Sequence, residues 1–170
     1  RQAKGQALVN FLNLDQNEEV CSILPMGTNI KHLSPKGQAS LIMATSLGII
    51  KKTKLSEFEN LRASGLIAIR LQDKDSLVSV KPTTGEDHIM LLTHGGKSIR
   101  FPEANVRPMG RATTGVTGIK LDSSDIIIGM EVFPGKERIP KDKRKKVFRD
   151  ILTISERGLG KRTPIHLFPV

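Results

Sequence analysis

The stretch LIMATSLGIIKK, residues 41–52, places two apolar runs on either side of a short polar interruption that ends on Gly48. An apolar run, a short loop that closes on glycine and a second extended run form the pattern of a β-hairpin. Glycine suits the left-handed position at the end of such a loop, where a Cβ atom would clash. The stretch therefore predicts two antiparallel strands, at about 39–45 and 48–53.

The same pattern occurs twice more along the chain, in IMLLTHGGKSIR (89–100) and ILTISERGLGKR (151–162). Each copy has Thr or Ser, two variable residues and glycine, and each carries a base four residues after that glycine. The glycines are Gly48, Gly96 and Gly158, and the bases are Lys52, Arg100 and Arg162. A signature that returns after about 50 residues predicts a repeat architecture with three hairpins, and we expect a positive φ at each glycine.

A second signature lies between the hairpins, in NLRASGLIAIRL (60–71) and GRATTGVTGIKL (110–121). The anchors are Leu14, Leu71 and Leu121, an acid follows each by four residues (Glu18, Asp75, Asp125), and an apolar residue follows each by six (Val20, Leu77, Ile127). An acid that recurs once per repeat predicts a carboxylate that caps backbone N–H groups in a turn. Gly115 and Gly118 predict close backbone approach within a strand.

Together the two signatures predict an all-β fold of four short strands per repeat, the strand count of a propeller blade. Three copies fit the chain, at roughly 1–54, 55–102 and 103–163, and the first also includes strands at about 7–14 and 20–26. One blade cannot bury its own faces, which explains why the chain repeats. Single helical turns are expected at 54–61, with Ser56 as the cap, and at 102–106.

The bulk composition points to an anionic partner. The chain has 170 residues, a net charge of +10, 38% hydrophobic residues and neither Trp nor Tyr. Such charge attracts polyanions, nucleic acid first and anionic membrane second. No apolar run reaches the ~18 residues of a membrane span, and no signal peptide is evident. The lone Cys21 suits a reducing, cytoplasmic setting, and the start at Arg1 rather than Met suggests a fragment.

Residues that would carry catalysis are missing from the sequence. The histidines, His32, His88, His94 and His166, lack metal-ligand spacing. The segment RGLGKRT (157–163) lacks the glycine spacing of a phosphate-binding loop. We therefore expect a non-catalytic chain without a cofactor or metal.

Three segments carry a family resemblance: GRATTGVTGIKL, DIIIGMEVF (125–133) and ILTISERGLGKRTP (151–164). They resemble the C-terminal domain of the bacterial DNA gyrase A protein and the related domain of the topoisomerase IV A protein, and residues 1–25 resemble an earlier blade. The resemblance implies a propeller-like β-pinwheel, here with about three blades, with strand exchange between neighbours and a basic rim that wraps duplex DNA. It also implies a B-subunit partner and a place in an ATP-dependent type II topoisomerase.

The choice between gyrase and topoisomerase IV stays open at this point. The Gln-Arg-Arg-Gly-Gly-Lys-Gly box typical of gyrase is absent, and THGGKS (93–98) is only a hairpin segment.

The DNA-binding residues that the resemblance implies are bases at motif positions. Lys52, Arg100 and Arg162 share one repeat position and are expected in register along one rim, whereas Lys51 and Lys161 point the other way. The further candidates at motif positions are Arg62, Lys97 and Arg111. The basic loop 134–149 is longer and more basic than the family leads us to expect, and its charge adds Lys141, Lys143, Arg144, Lys145 and Lys146 as candidates. The alternatives are charges that protect strand edges and a merely solvated loop.

Two other functions would need exposed aromatic residues. A propeller scaffold that binds protein favours Tyr, Trp and Phe at its interface, and a single-strand binder stacks bases on aromatic rings. The chain has only six Phe, which are scattered. The sequence therefore favours sequence-nonspecific wrapping of duplex DNA, with affinity from phosphate contacts.

Overall fold

The computed structural model describes residues 5–6, 10, 12, 14, 18–24, 39–60, 64–135 and 149–170. Its described part is built from β-strands and short 3-10 helices. The strands are β1 (Ser40–Thr45), β2 (Ile49–Lys54), β3 (Leu77–Thr83), β4 (Asp87–Thr93), β5 (Ser98–Pro102), β6 (Val116–Thr117), β7 (Ile127–Pro134), β8 (Asp150–Ile154) and β9 (Gly160–Pro164). The all-β prediction is confirmed.

The three predicted hairpins are β1–β2, β4–β5 and β8–β9, all antiparallel. Each register is centred on the residue before the motif glycine: Ala44 pairs with Ile50, Leu92 with Ser98 and Ile154 with Gly160. The φ angles of Gly48, Gly96 and Gly158 are 85°, 80° and 77°. Both predictions, equivalent hairpins and left-handed glycines, are confirmed.

The Thr or Ser of the hairpin motif closes the loop. The N–H of the motif glycine donates to the carbonyl of Thr45, Thr93 or Ser155, at 3.2, 3.0 and 2.9 Å. The next N–H donates to the hydroxyl of the same residue, at 3.3, 3.1 and 3.2 Å. One side chain thus satisfies a backbone donor that the turn would otherwise leave unpaired.

Two of the three recurring acids, Asp75 and Asp125, are the turn caps that the sequence predicted. Asp75 Oδ1 accepts from Leu47 N at 3.0 Å and Ser46 Oγ at 2.9 Å, in the first hairpin loop. Asp125 Oδ1 accepts from Gly95 N at 2.8 Å, in the second. Each acid lies two residues before the strand that pairs with the same hairpin, β3 or β7. The acid therefore fixes the strand that follows it to the loop of its own sheet.

The sheets of the structure group the strands differently from the repeat boundaries that the sequence predicted. The strand orders are β3-β1-β2-β6, β5-β4-β7 and β8-β9, hereafter the first, second and third sheet. The predicted second repeat, 55–102, contains both β3 and the second hairpin. In the structure, however, β3 pairs with β1 of the first hairpin. The register of β3 on β1 shifts at Ala44/Thr45 and that of β7 on β4 at the equivalent Leu92/Thr93. The structural unit therefore starts at the hairpin and continues into the segment after it.

The stretch 110–121 supplies the outer strand of the first sheet. Its β6 pairs with β2, although it follows the second hairpin in sequence. A Cβ atom on Gly115 would lie 2.6 Å from the Ile50 carbonyl oxygen, and one on Gly118 would lie 2.9 Å from Ile50 Cγ2. The predicted close approach at these two glycines is confirmed, although they flank β6 rather than lie within it, and the approach lets the segment lie against β2.

Two hydrophobic clusters lie between neighbouring sheets. The first joins Ile42 and Ala44 of the first sheet to Ile89, Leu91 and Ile127 of the second. The second cluster contains Met90 and Phe133 of the second sheet and Ile165, which follows the third. Each sheet therefore buries a face against the next one, as expected for stacked repeats.

The two predicted helical turns lie where the sequence placed them, but the predicted capping residue was wrong. Short 3-10 helices lie at Leu55–Phe58, Glu103–Asn105 and Ile165–Leu167, just after the hairpins. The cap of the first is Lys54 and makes no side-chain hydrogen bond, so the prediction of Ser56 as cap was wrong. The expected strand at 20–26 is not formed over the described residues 20–24, and most of the strand expected at 7–14 lies outside the described residues.

Candidate nucleic-acid interface

Lys52, the first base of the hairpin motif, lies in the protein interior. Its side chain is 8% exposed, and Nζ donates to the carbonyl oxygen of Glu103 at 3.0 Å and to Glu103 Oε2 at 3.3 Å. Glu103 is fully buried and also accepts from Gly85 N at 2.6 Å and Asp87 N at 2.9 Å. The expectation that Lys52 lies on a solvent-facing rim was wrong.

Arg100, the second base, also makes contacts within the protein. Its Nη1 donates to the carbonyl oxygens of Ile165 and Phe168, at 3.2 Å each. The guanidinium lies 5.0 Å from the centre of the Phe133 ring, a cation–π distance. Arg100 is half-buried, and its Nη1 points at the segment that follows the third hairpin rather than outward. The rim placement of Arg100 was therefore also wrong.

The hairpin register explains both corrections. Lys52 pairs with Ile42 and Arg100 with Met90, and cross-strand partners lie on the same face of a sheet. Ile42 and Met90 belong to the clusters between sheets. The bases at this position therefore point toward the next sheet. Because side chains alternate along a strand, Lys51 and Lys52 point to opposite faces of the first sheet. The alternation does not show that other parts of the protein cover both faces.

Lys51 faces the other side of the first sheet and is fully buried as well. Its Nζ donates to the carbonyl oxygens of Ala68 at 2.8 Å, Thr113 at 2.9 Å and Arg111. Burial lowers the pKa of Lys51. The side chain thus joins the segment 64–71 to the segment 110–121, and it is not available to a phosphate.

Four of the predicted bases keep solvent contact. Lys161 is exposed on β9. Arg162 is 76% exposed and pairs with Asp150 through Nε. Lys97 bonds Asp122 Oδ2 at 2.5 Å, and this hydrogen bond raises the pKa of Lys97. Arg111 Nε lies 3.9 Å from Glu57 Oε2 and is partly exposed. Exposed ion pairs of this kind are weak and salt-sensitive, so phosphates can compete for these bases.

Three exposed bases that the sequence motifs did not single out lie on or beside the outer edge of the first sheet. Arg107 and Lys120 lie on the segment that covers β2, because Met109 N donates to Lys52 O at 2.8 Å and Gly118 N to Gly48 O at 2.8 Å. Arg70 lies beside them, since Arg70 N donates to Thr113 O at 3.0 Å. Their repeat position could have identified two of them from the sequence, because Arg70 and Lys120 each lie one residue before an anchor leucine.

These outer-edge bases are spread rather than clustered. The segment from Arg107 to Lys120 follows the length of β2, whose six residues extend about 20 Å at ~3.3 Å per residue. A bent duplex needs positive charge distributed along its path, since bending stores elastic energy. Arg62 and the loop residues Lys141, Lys143, Arg144, Lys145 and Lys146 lie outside the described residues.

The described residues match neither the pattern of a metal site nor that of a membrane-spanning helix. They contain no group of three or more His, Cys, Asp or Glu that could hold a metal ion, and no helix among them is long and apolar enough to cross a membrane. Burial, followed by the charge of Arg100, lowers the pKa of His88. His94 Nε2 lies 3.4 Å from Glu156 Oε1, a contact between the second and third hairpin loops.

Known proteins that resemble this chain share its fold and its repeat. The family described as "DNA gyrase C-terminal domain, beta-propeller" matches residues 39–84, 87–134 and 149–170. The matched segments begin at the hairpins, as the sheets do. The A subunit of DNA gyrase from Buchnera aphidicola is 41% identical over 170 residues, which are 100% of this chain and 18% of that protein. The chain therefore spans about a fifth of the relative's length.

Two solved structures share the fold. The C-terminal domain of DNA topoisomerase IV superposes with a TM-score of 0.79 at 26% identity, over 97% of this chain and 46% of that one. The DNA gyrase A C-terminal domain gives a TM-score of 0.75 at 25% identity, over 98% of this chain and 50% of that one. Both matches extend the likeness over the whole described fold.

Proposed function

Because the chain belongs to the family of DNA gyrase C-terminal domains with a beta-propeller fold, we propose that it binds and wraps duplex DNA without sequence preference. The observation that carries the proposal is the row of exposed or partly exposed bases on and beside the outer edge of the first sheet, Arg70, Arg107, Arg111 and Lys120. Lys161 and Arg162 on β9 extend the positive charge to the third sheet.

Phosphate neutralisation supplies the affinity in this proposal. Lys and Arg side chains displace condensed counterions, so binding weakens as salt rises. No exposed Phe lies among the described residues, which disfavours base stacking as the source of affinity. The chain needs neither a metal nor a nucleotide for this binding, and catalysis lies elsewhere in the longer protein.

The wider assignment rests on the relatives. We propose that the chain serves a bacterial gyrase, in the cytoplasm, with a B subunit that supplies ATP hydrolysis. The relative from Buchnera aphidicola, at 41% identity, is named as the A subunit of DNA gyrase, which favours gyrase. The solved topoisomerase IV domain at 26% identity keeps that enzyme as the alternative.

The test is DNA affinity over a salt series on two unrelated duplexes of equal length. We expect similar affinity on both and a linear fall of log affinity with log salt. Lys120→Met should reduce that slope by about one unit on both duplexes. Lys81→Met is the matched control, because Lys81 lies on β3, away from the outer edge formed by β6, and pairs with Glu131 at 2.6 Å. Salt-independent binding, or binding to only one duplex, would contradict the proposal.

A further inference from the structure

Two bases at the same repeat position make the same contact with the next repeat. Lys52 lies four residues after Gly48 and donates to the carbonyl oxygen of Glu103, seven residues after Gly96. Arg100 lies four residues after Gly96 and donates to the carbonyl oxygen of Ile165, seven residues after Gly158. Base and acceptor thus hold equivalent positions in both pairs, although Lys and Arg differ in shape and Glu103 and Ile165 differ in chemistry.

The shared acceptor is the first residue of the 3-10 helix that follows the next hairpin. Its carbonyl is a backbone group, so this shared part of the contact does not need a particular side chain at that position, although Lys52 also bonds Glu103 Oε2. The contact also lies on the sheet face that carries the inter-sheet cluster, where Ile42 and Met90 are buried. Each base therefore joins one sheet to the backbone of the next, beside their apolar contact.

We infer that Lys52 and Arg100 are positioning residues that fix the angle between neighbouring sheets and thereby the curvature of the surface followed by DNA. A hydrogen bond from a charged donor to a carbonyl is directional, whereas apolar packing alone is non-directional. The inference rests on the proposed function for its effect on DNA, but the inter-sheet angle is a property of the protein alone.

Arg162 provides a matched comparison within the chain. It lies four residues after Gly158, yet its cross-strand partner Leu152 is 64% exposed and Arg162 pairs with Asp150 of its own hairpin. Among the described residues, Arg162 contacts no following sheet. The same substitution at Arg100 and at Arg162 therefore separates an inter-sheet contact from a solvent-facing base.

The first experiment measures the inter-sheet geometry without DNA. Spin labels at Ser98→Cys and Arg157→Cys, in a Cys21→Ser background, report the distance between the second and third hairpins by pulsed electron resonance. Arg100→Met should broaden or shift the distance distribution, Arg100→Lys should restore most of it, and Arg162→Met should leave it unchanged. An unchanged distribution in Arg100→Met would overturn the inference whatever the protein does with DNA.

The second experiment separates curvature from phosphate contact by duplex length. On a duplex of about 12 base pairs, roughly 40 Å long at 3.4 Å per pair, Arg100→Met should bind within twofold of the parent with the same salt slope. On a duplex long enough to pass all three sheets, it should lose most of the bend measured by end-to-end energy transfer. Arg162→Met should instead lower the salt slope on both duplexes.

A slope reduced by Arg100→Met on the short duplex would identify Arg100 as a phosphate ligand and overturn the inference. If Arg100→Met does not fold, Arg100→Gln replaces it in both experiments. Gln keeps a hydrogen-bond donor but is too short to reach Ile165, so the results expected for Arg100→Met are expected for it as well. If no variant binds DNA in a salt-dependent way, the proposed function fails, while the label distances still decide the positioning role.

Discussion

At the scale of single residues, one repeat position holds side chains with opposite surroundings. The third residue after the motif glycine is Lys51 in the first hairpin, Ile99 in the second and Lys161 in the third. Lys51 is fully buried beneath the segments 64–71 and 110–121, whereas Ile99 and Lys161 are exposed. The surroundings therefore depend on which segment covers the strand, and the segment that covers β2 comes from after the second hairpin.

The pair Lys51→Met and Lys161→Met tests this difference in thermodynamic terms. Lys51→Met removes a charged donor shared by three backbone carbonyls, so the free energy of unfolding should fall by about 1–3 kcal/mol. Lys161→Met should change it by no more than about 0.5 kcal/mol, as exposed substitutions do. Urea titration at neutral pH measures both. Equal losses in the two variants would contradict the buried role of Lys51.

At the scale of the hairpin, a hydroxyl, a glycine and an aspartate act together. The hydroxyl of Thr45 or Thr93 accepts from a backbone N–H of its loop and hydrogen-bonds to Asp75 or Asp125, and the same aspartate accepts from a backbone N–H of that loop. Burial alone would raise the pKa of Asp75, but hydrogen bonds from Thr45, Leu47, Ser46 and Ser76 lower it. The hydrogen bond from Thr93, followed by that from Gly95, lowers the pKa of Asp125. The ionised form of each acid thus stabilises its loop.

This arrangement predicts a loss of stability in acid. Because the pKa of Asp75 is lower in the folded state, its contribution is fully present above the ordinary carboxyl value of about 3.9 and is lost as pH falls through the folded value. Asp75→Ala should lower the free energy of unfolding by about 1–2 kcal/mol at pH 7 and by less at pH 3. Asp73→Ala, at an exposed neighbour, is the control. A loss for Asp75→Ala that is the same at both pH values would contradict the prediction.

Much of the hairpin could be predicted from sequence, because its determinants are local. The left-handed glycines follow from turn chemistry within each motif. The turn role of the acids also follows from their type and recurrence, but the loops they cap lie 28 and 30 residues earlier in the chain, which the motif does not show. The placement of Lys52 and Arg100 could not, since it depends on a sheet face covered by residues about 50 positions away or more, such as Glu103 and Ile165. The register alone pairs Lys52 with Ile42, but only tertiary packing shows that this face is buried.

At the scale of the molecule, each unit is completed by segments that follow it. β3 and β6 complete the first sheet, and β7 extends the second. Exposed bases lie on or beside the outer edge of the first sheet and on β9, others lie elsewhere, such as Lys97 in the second hairpin and Arg157 in the third, and the loop 134–149 adds eight bases against two acids. Two sources of positive charge are thus available to DNA, one distributed along the sheets and one concentrated in a short sequence.

These two sources should separate bending from binding. Combined neutralisation of Arg70, Lys120 and Lys161 to Met removes charge from several points along the proposed path, so the duplex should remain bound through the loop but lose its bend. Changing the five loop bases of 141–146 to Gln should have the converse effect. Affinity and salt slope should fall, while the bend per bound molecule stays near the parent value.

The measurements are affinity over a salt series and end-to-end energy transfer on one long duplex, made for the parent and for both variants at saturating protein. The parent in the presence of a chelator is a further control, and it should match the untreated parent because the proposed binding uses no metal. If the loop variant loses the bend while the sheet variant keeps it, DNA follows the loop rather than the outer edge. The distributed bases would then be charges that protect strand edges from pairing with other chains.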